Sequence, residues 1–144
     1  MKILFVCSGN TCRSPMAQSM FEKLAKEKGI DVQCFGAGTS ACTGASASES
    51  AVAVLKEIDI DISDYKSTSI KDLKLNDFDL FVPMTFAHAA FLMSLGVDRE
   101  KIYLFDKDIT DPYGGDINVY REIRDELAKA LNQLAYFLNF RNGI

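Results

Sequence analysis

The sequence predicts an α/β domain: a parallel sheet with helices on both faces. Three observations carry this expectation. Short apolar runs alternate with stretches of helical pattern along the chain. The first run, Ile3-Leu4-Phe5-Val6, has no polar break, as a strand buried on both faces requires. The chain closes with a long segment whose apolar residues fall on one helical stripe.

The elements follow in order. Lys2 to Val6 reads as strand one. Ser14 suits a helix N-cap and Pro15 the first helical position, where a missing N–H costs nothing. The helix runs from Pro15 to Lys28 and ends at Gly29. Residues 31–35, DVQCF, alternate as a second strand, and residues 36–44 read as a loop. Ser46-Ala47-Ser48-Glu49 has the form of a capping box and opens a helix reaching Ile58. Residues 61–77 are polar and turn-rich. FDLFVPM, residues 78–84, is a third strand, followed by a helix from Phe86 to Leu95. KIYLF, residues 101–105, is a short fourth strand, and residues 106–116 form a loop with one proline and two glycines. The last helix, Ile117 to Phe140, aligns Ile117, Tyr120, Ile123, Leu127, Leu131, Leu134 and Leu138. The expectation is one three-layer α/β/α domain over residues 1–144 with a four-stranded parallel sheet and a phosphate-binding loop after strand one. No repeat, low-complexity tract or linker divides it.

Composition narrows the function. The chain has 144 residues, 48% hydrophobic and 25% charged, with a formal net charge of −4, which is globular and mildly acidic. General nucleic-acid binding needs a basic surface and is not expected. An anionic ligand must instead be held by a local device. No apolar stretch spans a bilayer, and the first is too short for a signal peptide, so no membrane insertion is expected. The four cysteines, Cys7, Cys12, Cys34 and Cys42, contain no C-x-x-C pair, and His88 is the one histidine. A zinc site is not expected, nor any other metal or cofactor. The cysteines read as reduced thiols of a cytoplasmic protein.

The chemistry concentrates in VCSGNTCRSPMA, residues 6–17. Ligands of open α/β sheets sit beyond the carboxyl ends of the strands, and Cys7 to Arg13 lies there for strand one. A loop entering a helix aims backbone N–H groups inward and adds the helix dipole, which makes an anion nest. Gly9 and Asn10 tolerate the left-handed backbone that the curl needs. Arg13 adds a fork for phosphate-type oxygens. The same positive field acts on Cys7 and makes its sulfur a poised nucleophile. Ser14 can donate its hydroxyl to that sulfur. A bare C-x5-R would more simply be a strand-end thiol and a surface charge. The G-x-x-x-x-G-K-[ST] pattern of phosphate-loop NTPases is absent.

The longer string resembles the signature V-C-x-G-N-x-C-R-S-P of the low-molecular-weight protein tyrosine phosphatases. The likeness continues through AGTSA after strand two, DISD after the second helix, FDL in strand three and DPYGG before the last helix, and so covers essentially the whole chain. It implies a phosphoric monoester hydrolase acting on phosphorylated protein through a phosphocysteine. Cys7 matches the nucleophile, Arg13 the phosphoryl-binding arginine and Asp111 the general acid and base. Ser8, Gly9, Asn10, Thr11, Cys12, Arg13 and Ser14 match the phosphate-binding loop. The chemistry is coherent: the loop has no good proton donor for a leaving group, and Asp111 supplies one, held extended by Pro112. Arg13 and the amides supply the positive field without a metal.

Other residues carry two readings each. Cys12 matches a cysteine that, by the resemblance, forms a reversible disulfide with the nucleophile under oxidants; otherwise it is a small buried thiol. Cys34 reads as core and His88 as structural. Related arsenate reductases need cysteines late in the chain, and none follows Cys42. A non-catalytic phosphate-binding module would be expected to lose Cys7, Arg13 or Asp111.

For substrate, the resemblance implies phosphotyrosine first. Thr11, Cys42 and Tyr113 are the expected pocket residues. Thr11 stands where most tyrosine phosphatases of the family have Ile or Leu, and it resembles the protein-arginine phosphatase branch. Met84-Thr85 and the paired glycines after Asp111-Pro112 resemble that branch too. Cys42 stands where many members carry an aromatic ring. Phosphoarginine is therefore the alternative substrate. The sequence is silent on oligomeric state.

Overall fold

A computed structural model describes residues 1–141. The described elements are β1 (Lys2–Cys7), α1 (Arg13–Lys28), β2 (Gln33–Gly38), α2 (Glu49–Lys56), β3 (Leu80–Pro83), α3 (Phe86–Ser94) and α4 (Ile117–Arg141). Single-turn 3-10 segments occupy Ile70–Asp72, Leu75–Asp77 and Arg99–Lys101.

The sheet is parallel and ordered β2-β1-β3, with β1 at its centre. Lys2 pairs with Gln33 and Cys7 with Gly38 on one side; Ile3 pairs with Leu80 and Val6 with Pro83 on the other. The unbroken apolar run is explained by this placement. Ile3, Phe5 and Cys7 face a core shared with α1, α2 and α4, whereas Leu4 and Val6 face Phe78, Ile70 and Leu92 of α3. Ile3 through Val6 are all fully buried. The stripe on α4 also packs inward: Tyr120, Ile123, Leu127, Leu131, Leu134 and Leu138 are buried and Ile117 partly so.

The sheet has three strands among the described residues, not four. The expected strand at residues 101–105 reduces to a single parallel pair, Phe81 with Ile102, plus a hydrogen bond from Tyr103 N to Phe81 O of 2.9 Å. On that outer side of β3 the next residue is Pro83, which has no N–H to extend the ladder. The chain then turns away, and Tyr103 packs its ring 4.9 Å from that of Phe137 on α4.

Three boundaries also differ from expectation. Helix α1 begins at Arg13, with Cys12 at its cap and no side-chain cap bond. Ser14 lies inside the helix, fully buried, with its hydroxyl turned back to the loop. The capping box from Ser46 does not form. Ser48 is the cap, accepting from Ala51 N, while Ser46 pairs with Lys66. Strand β2 runs to Gly38, into residues expected as loop. Its glycines permit close approach. A Cβ on Gly36 would lie 2.5 Å from the Tyr65 hydroxyl and 2.7 Å from Gln18 Oε1, and one on Gly38 would strike the Ser8 carbonyl.

Candidate active site

Because β1 is the central strand, its carboxyl end opens between two neighbours, and Cys7 is its last residue. The chain must then curl into α1 within five residues, and Asn10 makes that possible. Its φ of 55° lies in the left-handed region, where Asn is tolerated because its side chain bonds locally.

Asn10 is fully buried and its amide is fully used. Nδ2 donates to Ser14 Oγ at 2.6 Å and to the Tyr65 hydroxyl at 3.0 Å, while Oδ1 accepts from Thr68 N at 2.8 Å. Ser67 Oγ donates to the Asn10 carbonyl at 2.7 Å. The Tyr65 hydroxyl in turn donates to Gln18 Oε1 at 3.0 Å. Burial pushes the Tyr65 phenol up to about 12, so it stays a neutral donor.

Two donors converge on the Cys7 sulfur. Asn10 N lies 3.2 Å from it, and Ser14 Oγ lies 2.9 Å away. Ser14 Oγ already accepts from Asn10 Nδ2, so its own hydrogen is free to point at sulfur.

Arg13 is 5% exposed, with Nη1 donating to the Ile109 carbonyl at 3.0 Å. Its Nη2 stands 3.7 Å from Asp111 Oδ2. Asp111 is half exposed, and its Oδ1 accepts from Tyr113 N at 3.0 Å, closing a tight turn around Pro112. Cys7, Gly9, Thr11, Cys12, Arg13, Asp111 and Tyr113 together line a cavity of about 230 Å³. Ser8 and Asn10 belong to the same loop but turn their side chains elsewhere, and the Ser14 hydroxyl reaches the Cys7 sulfur from within α1. Cys42 is exposed and is not among the lining residues, unlike the sequence expectation that grouped it with Thr11 and Tyr113.

The other candidates have definite surroundings. Cys12 is buried, with its sulfur 3.4 Å from both Ser48 Oγ and the Tyr120 hydroxyl. Burial, then the bond to Cys12, pushes the Tyr120 phenol up to about 12. All four cysteines are free. Cys34 is partly buried and packs against the core, and its thiol is pushed up to about 12 by burial and by Glu22. His88 is buried with Nε2 2.9 Å from Ser8 Oγ and Nδ1 2.9 Å from Thr85 Oγ1. Burial, then Arg13, pushes its imidazole down to about 4, so the ring is neutral near pH 7.

Sequence reading missed Tyr65, Ser67, Thr68 and Gln18 as supports of the loop. They sit in a polar, turn-rich segment and on an ordinary helix, and no spacing ties them to Asn10. Among the described residues no cluster of three or more His, Cys, Asp or Glu is arranged to hold a metal, and no helix is long and apolar enough to cross a membrane.

The chain is similar to known proteins over nearly its whole length. Residues 2–142 match the family model described as low molecular weight phosphotyrosine protein phosphatase. The protein-arginine-phosphatase of Bacillus subtilis (strain 168) is 37% identical over 143 residues, covering 94% of this chain and 95% of that one. The low molecular weight protein-tyrosine-phosphatase PtpB of Staphylococcus haemolyticus is 35% identical over 141 residues, covering 93% and 97%. A solved structure of the YwlE arginine phosphatase, a mutant with a phosphorylated active-site serine, superposes with a TM-score of 0.91 at 35% identity and covers 96% of each chain.

Proposed function

We propose, since the chain belongs to the low-molecular-weight phosphotyrosine protein phosphatase family and is a phosphoric monoester hydrolase, that it dephosphorylates protein through a phosphocysteine on Cys7. The observation that carries this is the convergence on one small cavity of a doubly hydrogen-bonded sulfur, a buried guanidinium and a half-exposed carboxyl.

In the proposed reaction the Cys7 thiolate attacks phosphorus, forming the S–P bond as the bond from phosphorus to the leaving group breaks. The carboxylic acid of Asp111 passes its proton to the leaving atom. Water then attacks the phosphocysteine, and the Asp111 carboxylate takes the water's proton. The S–P bond breaks, phosphate leaves, and thiolate returns. Ser14 Oγ and Asn10 N stabilise the sulfur as leaving group. Arg13 and the loop amides hold the phosphoryl oxygens throughout. The relative with a phosphorylated active-site serine supports covalent phosphoryl transfer to this loop position.

Two substrates compete. Sequence alone favours phosphotyrosine. The Thr11 side chain on the cavity wall supports phosphoarginine instead, because its hydroxyl can bond a planar polar guanidinium where Ile would present only methyl groups. Exposed Cys42 offers no stacking surface for a phenyl ring. Likeness to protein-arginine phosphatases points the same way. Phosphotyrosine remains the second reading, favoured by Tyr113 on the cavity rim and by likeness to PtpB. The reaction needs Cys7 as a reduced thiol, which a cytoplasmic setting would keep so.

The test is kinetics on matched phosphoarginine and phosphotyrosine peptides. Wild type should prefer phosphoarginine. Thr11→Ile should lose that activity about tenfold while holding or gaining on phosphotyrosine, as expected for loss of one buried hydrogen bond. Parallel change on both substrates, or a wild type inert to phosphoarginine, returns the assignment to phosphotyrosine.

A further inference from the structure

The phosphate loop is held from two sides. Asn10, Ser14, Tyr65 and Ser67 secure its middle and its entry into α1. None of those side chains reaches Ser8, the first residue after Cys7. The side-chain partner of Ser8 is His88, at 2.9 Å, from α3. His88 is 6% exposed and its second nitrogen is 2.9 Å from Thr85 Oγ1. Thr85 is itself the N-cap of α3, accepting from His88 N at 3.2 Å. A hydroxyl–imidazole–hydroxyl chain therefore ties the first turn of the cradle to the start of a helix.

The geometry points to His88 as a positioning residue for the phosphate cradle, acting through Ser8. This rests on the phosphatase reading of the loop. Ser8 does not line the cavity with its side chain. What its hydroxyl fixes is the backbone between Cys7 and Asn10, the stretch whose N–H groups face an anion in a strand-to-helix nest. The Ser8 carbonyl is held as well, by Ser40 N at 3.0 Å. A neutral imidazole suits the task. It can accept at one nitrogen and donate at the other, and it adds no second buried cation beside Arg13. Of the charged groups acting on it, Arg13 opposes protonation, while Asp108 and Asp111 favour it less than burial and Arg13 oppose it.

Because the phosphoryl group sits in the cradle in both ground and transition state, a loosened first turn weakens both together. That raises KM and leaves kcat. His88→Ala should raise KM for p-nitrophenyl phosphate, and the dissociation constant of inorganic phosphate titrated calorimetrically, about three- to tenfold, with kcat within about twofold. His88→Gln sets an amide nitrogen near the place of Nε2 and should restore both constants. His88→Asn reaches toward Thr85 but not Ser8 and should not. Ser8→Ala should reproduce His88→Ala, and the double variant should add nothing further. A merely structural role would lower the thermal midpoint and the active fraction without moving KM, and would not separate Gln from Asn. Unchanged phosphate affinity in both His88→Ala and Ser8→Ala, equal rescue by Gln and Asn, or multiplicative losses in the double variant would each overturn the inference. If His88→Ala fails to fold, the Gln–Asn contrast and Ser8→Ala decide the matter. A wild type that fails to hydrolyse p-nitrophenyl phosphate strikes the phosphatase reading itself, whereas an active wild type indifferent to His88 strikes only this one.

Discussion

The two walls of the cavity are built on opposite plans. On the loop side Asn10 and Ser14 are fully buried, and side chains from residues 65–68 and from α3 brace the backbone. On the other side the segment from Asp111 to Tyr113 stands open, with the Asp111 side chain 52% exposed and Tyr113 81% exposed. The Arg13–Asp111 contact spans the two at 3.7 Å, and a pair with one partner half in water contributes at most about 1 kcal/mol. The contrast fits the division of labour in the proposed reaction. The loop always receives the same phosphoryl group, so its dipoles gain from being fixed before substrate arrives. The open arm meets a leaving group that differs between substrates and must let it in and out.

The largest expected effect is at Cys7. If the loop binds anions through preset amides and Arg13, Cys7→Ser should lose turnover by roughly 10⁴-fold or more. It should still bind inorganic phosphate in a calorimetric titration. Binding lost along with turnover would mean that the sulfur organises the loop rather than the reverse.

Next is the arm. A poor leaving group needs a proton in the transition state and a strongly acidic one does not. Asp111→Asn should therefore slow phenyl phosphate by about 10²-fold, and an ester of a highly acidic phenol by less than about threefold. Equal losses across a leaving-group series would make Asp111 a structural part of its turn.

A further expected effect is on stability, through the buried support of the loop. His88 titrates near 4 in the fold against about 6.5 in an unfolded chain. Between those values the unfolded state binds more protons, so stability rises with pH there. The contribution is complete above about pH 6.5 and is lost as pH falls through 4, in total roughly 3 kcal/mol. Glu57, held down to about 2 by hydrogen bonds from Arg121 and Arg124, loses its contribution only below about pH 4.5. Urea unfolding between pH 4.5 and 6.5 therefore isolates His88. Wild type should gain stability with pH across that window, and His88→Gln should be nearly flat. Parallel curves would show that other groups set the slope.

What the sequence alone determined is what depends on near neighbours along the chain. Ile3 to Val6 named the central strand because a strand buried on both faces cannot carry polar residues. The stripe on α4 was legible because 3.6-residue periodicity brings Tyr120, Ile123 and Leu127 to one side before any partner is known. The loop was legible because Cys7, Gly9, Asn10 and Arg13 lie within one turn of chain. Tertiary structure decided whatever depends on where distant segments meet. Ser14 reads locally as a cap, yet its hydroxyl belongs to Cys7 and Asn10 because the loop folds back over it. The strand expected at residues 101–105 carries suitable residues, but the side of β3 it would join ends in a proline without a donor. Tyr65 and His88 reach the loop across 55 and 80 residues. That happens because the order β2-β1-β3 brings the segment after α2 and the start of α3 to the same end of β1. Strand order is set by the joint burial of both sheet faces, a property of the whole packed chain, and so no local pattern of residues announces it.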